Sequence, residues 1–200
     1  GLFYGVQTVR QLLPPELETR QPPAHATWTV PCVQVEDRPR FPWRGLLLDC
    51  ARTIWDKEYL KGYIDRLAMY KMNVLQLHLT DDQGWRVEIK KHPKLTEIGS
   101  RFSRPYDYPE GYYSQDDIRE LVAYAASRYV TIVPEIEMPG HSNAAVAAYP
   151  ELSCTGGPFE IHPYFKGGGR SRGQLCPGNE RTLVFLEDVL SEVVELFPSP

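Results

Sequence analysis

Asn73-Val74-Leu75-Gln76-Leu77-His78-Leu79-Thr80-Asp81-Asp82-Gln83-Gly84-Trp85-Arg86 is the stretch on which the fold turns. Asn73–Leu79 is an apolar run of strand length, and it passes directly into ionisable residues. Two other segments repeat the design. Gly45–Cys50 is a continuous apolar run whose end carries Asp49-Cys50-Ala51-Arg52. Tyr129–Ile136 is a third, leading into Glu135-Ile136-Glu137-Met138-Pro139-Gly140-His141. Between and after these runs the apolar period changes to that of helices. Lys57–Met72 places Tyr59, Leu60, Tyr63, Ile64, Leu67, Ala68 and Tyr70 at helical spacing. Ser114–Arg128 opens with Ser114 as N-cap and Asp117 three residues on. Thr182–Leu196 sets Leu183, Leu186, Val189, Leu190, Val193 and Val194 on one predicted face.

Near-continuous apolar strands alternating with amphipathic helices predict an α/β fold with a parallel sheet under helical cover. A doubly wound sheet and a (β/α)8 barrel both satisfy that order. No Gly-rich fingerprint follows a strand, and the nearest, Gly167-Gly168-Gly169, falls in a predicted loop. Every strand delivers ionisable groups at its C-terminal end, the face on which barrel active sites are built. A buried strand has no structural reason to end this way, because an unpaired buried charge costs several kcal/mol. The barrel is therefore the expected fold. A full barrel takes roughly 250 residues. Residues 45–200 supply three clear strands, so an incomplete TIM barrel of three β/α units is expected.

The rest of the chain sets limits. It has 200 residues, 42% hydrophobic and 24% charged, a globular composition. A net charge of −4 argues against nucleic-acid binding by bulk electrostatics. The longest apolar runs fall short of the ~20 residues that span a bilayer. Residues 1–13 have helical spacing at Leu2, Val6, Val9, Leu12 and Leu13, and residues 14–42 are rich in Pro, with a short apolar alternation around Trp28–Val35. Gly1-Leu2-Phe3 shows neither an initiator Met nor a signal-peptide pattern, so the chain is expected to be cut from a longer protein. Cys32, Cys50, Cys154 and Cys176 form no CxxC pair, which disfavours zinc. Cys50 reads as a buried free thiol. Cys154 and Cys176 flank a Gly- and Pro-rich loop that a disulfide would tie down. Such a bond implies an oxidising compartment, secreted, periplasmic or lysosome-like; four reduced cysteines are the alternative.

The acidic and His cluster admits three readings. Asp81, Asp82, Glu135, Glu137 and His141 have the hard ligands of a metal site but no fixed short spacing. Asp49, Glu135 and Arg52 could form a purely structural ion network. Arg52 near Trp55, and Asp81 near Trp85, offer the bidentate and aromatic groups that sugars need.

The three strand-end segments, taken from Arg44 to Arg52, His78 to Arg86 and Pro134 to His141, closely resemble the family-20 glycoside hydrolases, the β-N-acetylhexosaminidases. Gly1-Leu2-Phe3-Tyr4-Gly5-Val6-Gln7-Thr8 resembles the helix that ends their accessory N-terminal domain, and Leu175-Cys176-Pro177-Gly178-Asn179-Glu180 the stretch before their third barrel helix. The likeness covers the whole chain and looks closer to bacterial members. It implies that residues 1–42 are the end of the accessory α/β domain and a linker. Residues 43–200 are then the first part of the catalytic barrel, cut before the fourth strand. It further implies a substrate-assisted retaining mechanism on terminal GlcNAc or GalNAc of an N-acetylated glycan, with no cofactor. Arg52 would grip the hydroxyls at C3 and C4. Asp81 and His141 would form a relay toward the catalytic Glu, with Asp82, Trp85, Glu135 and Glu137 supporting the substrate face. The family's catalytic Asp-Glu pair is expected beyond Pro200; Glu187-Asp188 stands in the reverse order. Glu137 occupies a position where the family usually has Asp. A non-catalytic sugar-binding relative is the alternative expectation.

Overall fold

The computed structural model describes residues 1–19, 21, 23–25, 27–163 and 173–199. Gly167-Gly168-Gly169 lies outside the described residues. Helix α1 (Leu2–Leu12) is followed by β1 (Gly45–Asp49), α2 (Lys57–Met69) and β2 (Val74–His78). A small hairpin, β3 (Thr80–Asp81) with β4 (Gly84–Trp85), precedes the short α3 (Lys94–Glu97). Then come α4 (Gln115–Ser127), β5 (Thr131–Glu135), the short α5 (Asn143–Ala148) and α6 (Glu180–Leu196).

Strands β1, β2 and β5 form one parallel sheet in that order. Consecutive strands lie side by side, each reached through a helical crossover, which is the α/β arrangement expected. The register puts Asp49 opposite His78 and His78 opposite Glu135. Side chains alternate across a strand, so this row of three ionisable residues shares a face with Gln76, whose amide donates to Glu135. Leu75, Leu77 and Ile132 take the other face and are buried in the core with Leu60, Ile64 and Leu67 of α2 and Ile118, Leu121 and Ala125 of α4. One sheet face thus drives folding and the other carries polar groups toward the strand ends. Leu46 and Leu47 of β1 are half exposed.

Local chemistry fixes the helix limits. Asp56 caps α2 by accepting from the Tyr59 amide at 2.7 Å. Ser114 and Asp117 form the expected reciprocal capping box on α4. Both helices close with Schellman pairs, Met72 N–H to Leu67 carbonyl and Val130 N–H to Ala125 carbonyl. The left-handed residues are Lys71 and Tyr129, at φ 59° and 58°. Replacing Ser114 with Ala should lower stability by about 1 kcal/mol. An unshifted thermal midpoint would show that the box contributes nothing.

One reading of periodicity changes. The buried stripe of α6 is Thr182, Phe185, Val189, Val193 and Leu196, whereas Leu183, Leu190 and Val194 are exposed. Two overlapping apolar stripes run along this helix, and only the one against the Trp85 and His92 side is covered. The alternation at Trp28–Val35 lies outside the core, as an entry segment should: it forms no strand, and Trp28, Val30, Val33 and Val35 are exposed.

Cys154 and Cys176 are disulfide-bonded, with Cα atoms 5.0 Å apart. Cys50 is a buried free thiol whose pKa burial pushes up to about 12. The disulfide closes a long loop, and by the chain-entropy model its removal through Cys176→Ser should cost about 3 kcal/mol. Equal urea midpoints for the variant and the parent would contradict this. Among the described residues, no helix is long and apolar enough to cross a membrane.

Candidate active site

The polar row at the strand ends is completed by three loops. The segment after β1 turns at once, with the Arg52 amide bound to Asp49 Oδ1 at 2.9 Å. That turn brings the guanidinium back over the sheet. Arg52 Nη1 meets Asp49 Oδ2 at 2.9 Å, Nη2 meets Asp81 Oδ2 at 2.7 Å, and Nε donates to Gln83 Oε1 at 3.2 Å. The guanidinium is held on its edges by two carboxylates and an amide while remaining partly exposed. A planar fork fixed in this way is suited to paired hydroxyls.

Asp81 lies at the end of β3, and its carboxylate is only 1% exposed. Oδ1 accepts from the Asp82 amide at 2.6 Å and lies 3.2 Å from His141 Nδ1. Oδ2 lies 3.2 Å from His78 Nε2 as well as beside Arg52. Burial pushes the Asp81 pKa up, but the His78 contact, the Asp82 amide, Arg52 and His141 outweigh it and hold the carboxyl below its ordinary value. Asp81 is therefore ionised at neutral pH. Burial of His78 opposes its protonation, yet Asp81, Asp49 and Glu135 outweigh that and raise its pKa.

His141 sits in the loop after β5 at φ 50°, left-handed for a residue with a side chain. Such a conformation costs of the order of 1–3 kcal/mol and recurs at functional sites. Its ring is 55% exposed. With Nδ1 tied to buried Asp81, Nε2 is the nitrogen that can serve a further group. Glu135 and Glu137 both approach His78 Nε2, each at 3.9 Å. Burial and the neighbouring Glu135 carboxylate raise the pKa of Glu137.

Arg52, Asp81, Glu135, Glu137 and His141, all singled out in the sequence, thus come together. Asp82 sits beside them, but its carboxylate accepts the Asn143 amide at 3.2 Å and so anchors the start of α5. Trp85 requires a correction as a sugar platform. Its indole is 2% exposed, donates to the Val87 carbonyl at 2.7 Å and packs edge-on against Phe185. The β3–β4 hairpin turns it into the core, because a bulky ring gains more from burial there than at the rim. Trp55 is partly buried, donates to the Asp49 carbonyl at 3.1 Å and stacks on Tyr59. Sequence reasoning assigned no site role to His78 or Gln83. The residue type of His78 at a strand end was a visible signal; the contact of Gln83 with Arg52 spans 31 residues and left none.

Two trios have ligand atoms within 4.8 Å of one another, His78 with Glu135 and Glu137, and Asp81 with Asp82 and His141. In the second trio Arg52 supplies a cation to Asp81. What the arrangement can do is hold a polar ligand by a fixed guanidinium beside an ionised Asp–His pair.

The family model described as "Glycosyl hydrolase family 20, catalytic domain" matches residues 41–200. A beta-hexosaminidase of Porphyromonas gingivalis is 45% identical over 199 residues, 99% of this chain and 25% of that protein. The structure of the GH20 beta-N-acetylhexosaminidase from Streptomyces coelicolor superposes with a TM-score of 0.84 at 42% identity, over 100% of this chain and 39% of that one. A mutant Streptomyces plicatus beta-hexosaminidase in complex with product (GlcNAc) gives 0.84 at 43% identity, with the same two coverages. The chain therefore spans between a quarter and two fifths of these relatives. The parallel sheet, the strand-end cluster and this likeness lead to one conclusion: the chain belongs to glycosyl hydrolase family 20 and carries part of its catalytic domain.

Proposed function

We propose that this chain is the sugar-gripping part of an exo-acting β-N-acetylhexosaminidase, cleaving terminal GlcNAc or GalNAc by a substrate-assisted retaining mechanism. The observation that carries the reading is the convergence of Arg52, Asp81 and His141 at the ends of consecutive parallel strands. In this account Arg52 binds the hydroxyls at C3 and C4 of the terminal sugar. The acetamido oxygen of the substrate attacks C1 as the bond to the leaving oxygen breaks, giving a cyclic oxazolinium ion. A Glu donates its proton to that leaving oxygen and later takes one from the water that opens the ring. Ionised Asp81 holds His141 by Nδ1 so that Nε2 meets this Glu and sets its proton affinity. Glu135, Glu137 and Asp82 support the face, and Trp85 acts through packing.

The acid and the acetamide-orienting Asp belong, on this reading, to a longer polypeptide, since no Asp-Glu step in that order occurs among these 200 residues. Residues 1–42 are then the end of an accessory domain with its linker. Residues 43–200 make three units of a barrel whose further strands pair with the outer edges of β1 and β5. The half-exposed Leu46 and Leu47 support such pairing. Residues 1–200 expressed alone should release no 4-nitrophenol from a GlcNAc β-glycoside, whereas the full-length polypeptide should. Comparable turnover by the two would place the acid within this chain. A full-length polypeptide that binds GlcNAc without hydrolysing the glycoside would make it a sugar-binding relative.

A further inference from the structure

Arg86 is fully buried just beyond β4, the bulkiest of the fully buried side chains among the described residues. Among the described residues it forms no ion pair with a carboxylate, and its hydrogen bonds end on main-chain carbonyls. Nε and Nη2 both donate to Ala51, at 3.2 and 3.0 Å, and Nη2 also to Gln83 at 3.3 Å. Nη1 donates to Ser100 at 2.8 Å and Gly111 at 2.9 Å. Burial lowers its pKa to about 10, so it is still a cation at neutral pH. Removing a guanidinium from water without a bonded counter-ion is costly, and a fork of donors aimed at four separate loop positions is what offsets it.

Two of those positions flank the sugar grip. Ala51 directly precedes Arg52, and Gln83 supplies the Oε1 that receives Arg52 Nε. We infer that Arg86 is a positioning residue for Arg52: it fixes the carbonyls of Ala51 and Gln83 and thereby the plane of the substrate-facing guanidinium. Ser100 and Gly111 bind the other edge of the fork to the loop between α3 and α4. Gly84 fits the same account, because a Cβ there would overlap the Arg86 guanidinium. Lysine cannot replace this fork, since a single ammonium cannot span four diverging carbonyls.

This inference rests on the proposed role of Arg52. The test uses the full-length polypeptide and reads the competitive Ki of N-acetylglucosamine together with KM and kcat. Arg86→Lys should raise Ki and KM by roughly tenfold. Combined with Arg52→Ala it should add less than about threefold to the loss of Arg52→Ala alone, because both act through one grip. Gly84→Ala, which displaces the guanidinium while keeping its charge, should give the same pattern and serves if Arg86→Lys does not fold. A lowered thermal midpoint with unchanged Ki in the two variants would make Arg86 purely structural and overturn the inference. Full additivity with Arg52→Ala would do the same. If Arg52→Ala itself left Ki unchanged, the role of Arg52 would fall first and this inference with it.

Discussion

Arg52→Ala in the full-length polypeptide is expected to lower kcat/KM on a GlcNAc glycoside by about 10²–10⁴-fold, taking two charge-assisted hydrogen bonds at about 1.5–3 kcal/mol each. The side chain is held by Asp49, Asp81 and Gln83 before any ligand arrives, so little ordering opposes binding. Its removal also leaves Asp81, 1% exposed, without the nearest cation. Part of the loss should therefore show in kcat, through Asp81 and His141. Arg52→Lys should recover little, because the planar fork is lost though the charge stays. Wild-type kcat/KM in Arg52→Ala contradicts the assignment.

Asp81→Asn should reduce kcat by about 10²–10⁴-fold, the usual worth of general acid–base assistance, with the fold preserved. An amide keeps the volume but turns one acceptor into a donor, among neighbours that are Arg52, His78, His141 and the Asp82 amide. At least one donor then faces another donor, and His141 loses the partner that fixes its tautomer. The stability effect has a defined pH sign. The folded Asp81 pKa is depressed, so its stabilisation is present above the unfolded value of about 3.9 and is lost as pH falls below it. The gap in thermal midpoint between parent and variant should be widest near neutrality and close toward strongly acid pH. A constant gap together with unchanged kcat would make Asp81 neither ionised partner nor relay.

Much of this could be read from the chain because sheet and helix impose different periods. The runs at Gly45, Asn73 and Tyr129 became β1, β2 and β5, and the capping pair Ser114 and Asp117 starts α4 as expected. Strand ends that carry Asp, His and Glu were legible as a site because burial without partners is costly. What stayed hidden depends on distant partners. The β3–β4 hairpin has strands of two residues, too short for any period, yet it decides that Trp85 faces Phe185 in the core and that buried Asp81 faces Arg52, His78 and His141. The covered face of α6 could not be chosen, since Leu183 and Leu190 make as good a stripe as Phe185 and Val189; only the neighbouring Trp85 and His92 select the latter. Arg86 reads as one more charge after a Trp until Ala51, Ser100 and Gly111 are brought to it.

The most direct test is a crystal structure of the full-length polypeptide with N-acetylglucosamine bound. The account predicts the sugar over the ends of β1, β2 and β5, with Arg52 guanidinium nitrogens about 2.7–3.2 Å from the hydroxyls at C3 and C4 and with His141 still bound to Asp81. A sugar ring seated elsewhere, or in this site with Arg52 out of hydrogen-bond reach, would contradict it.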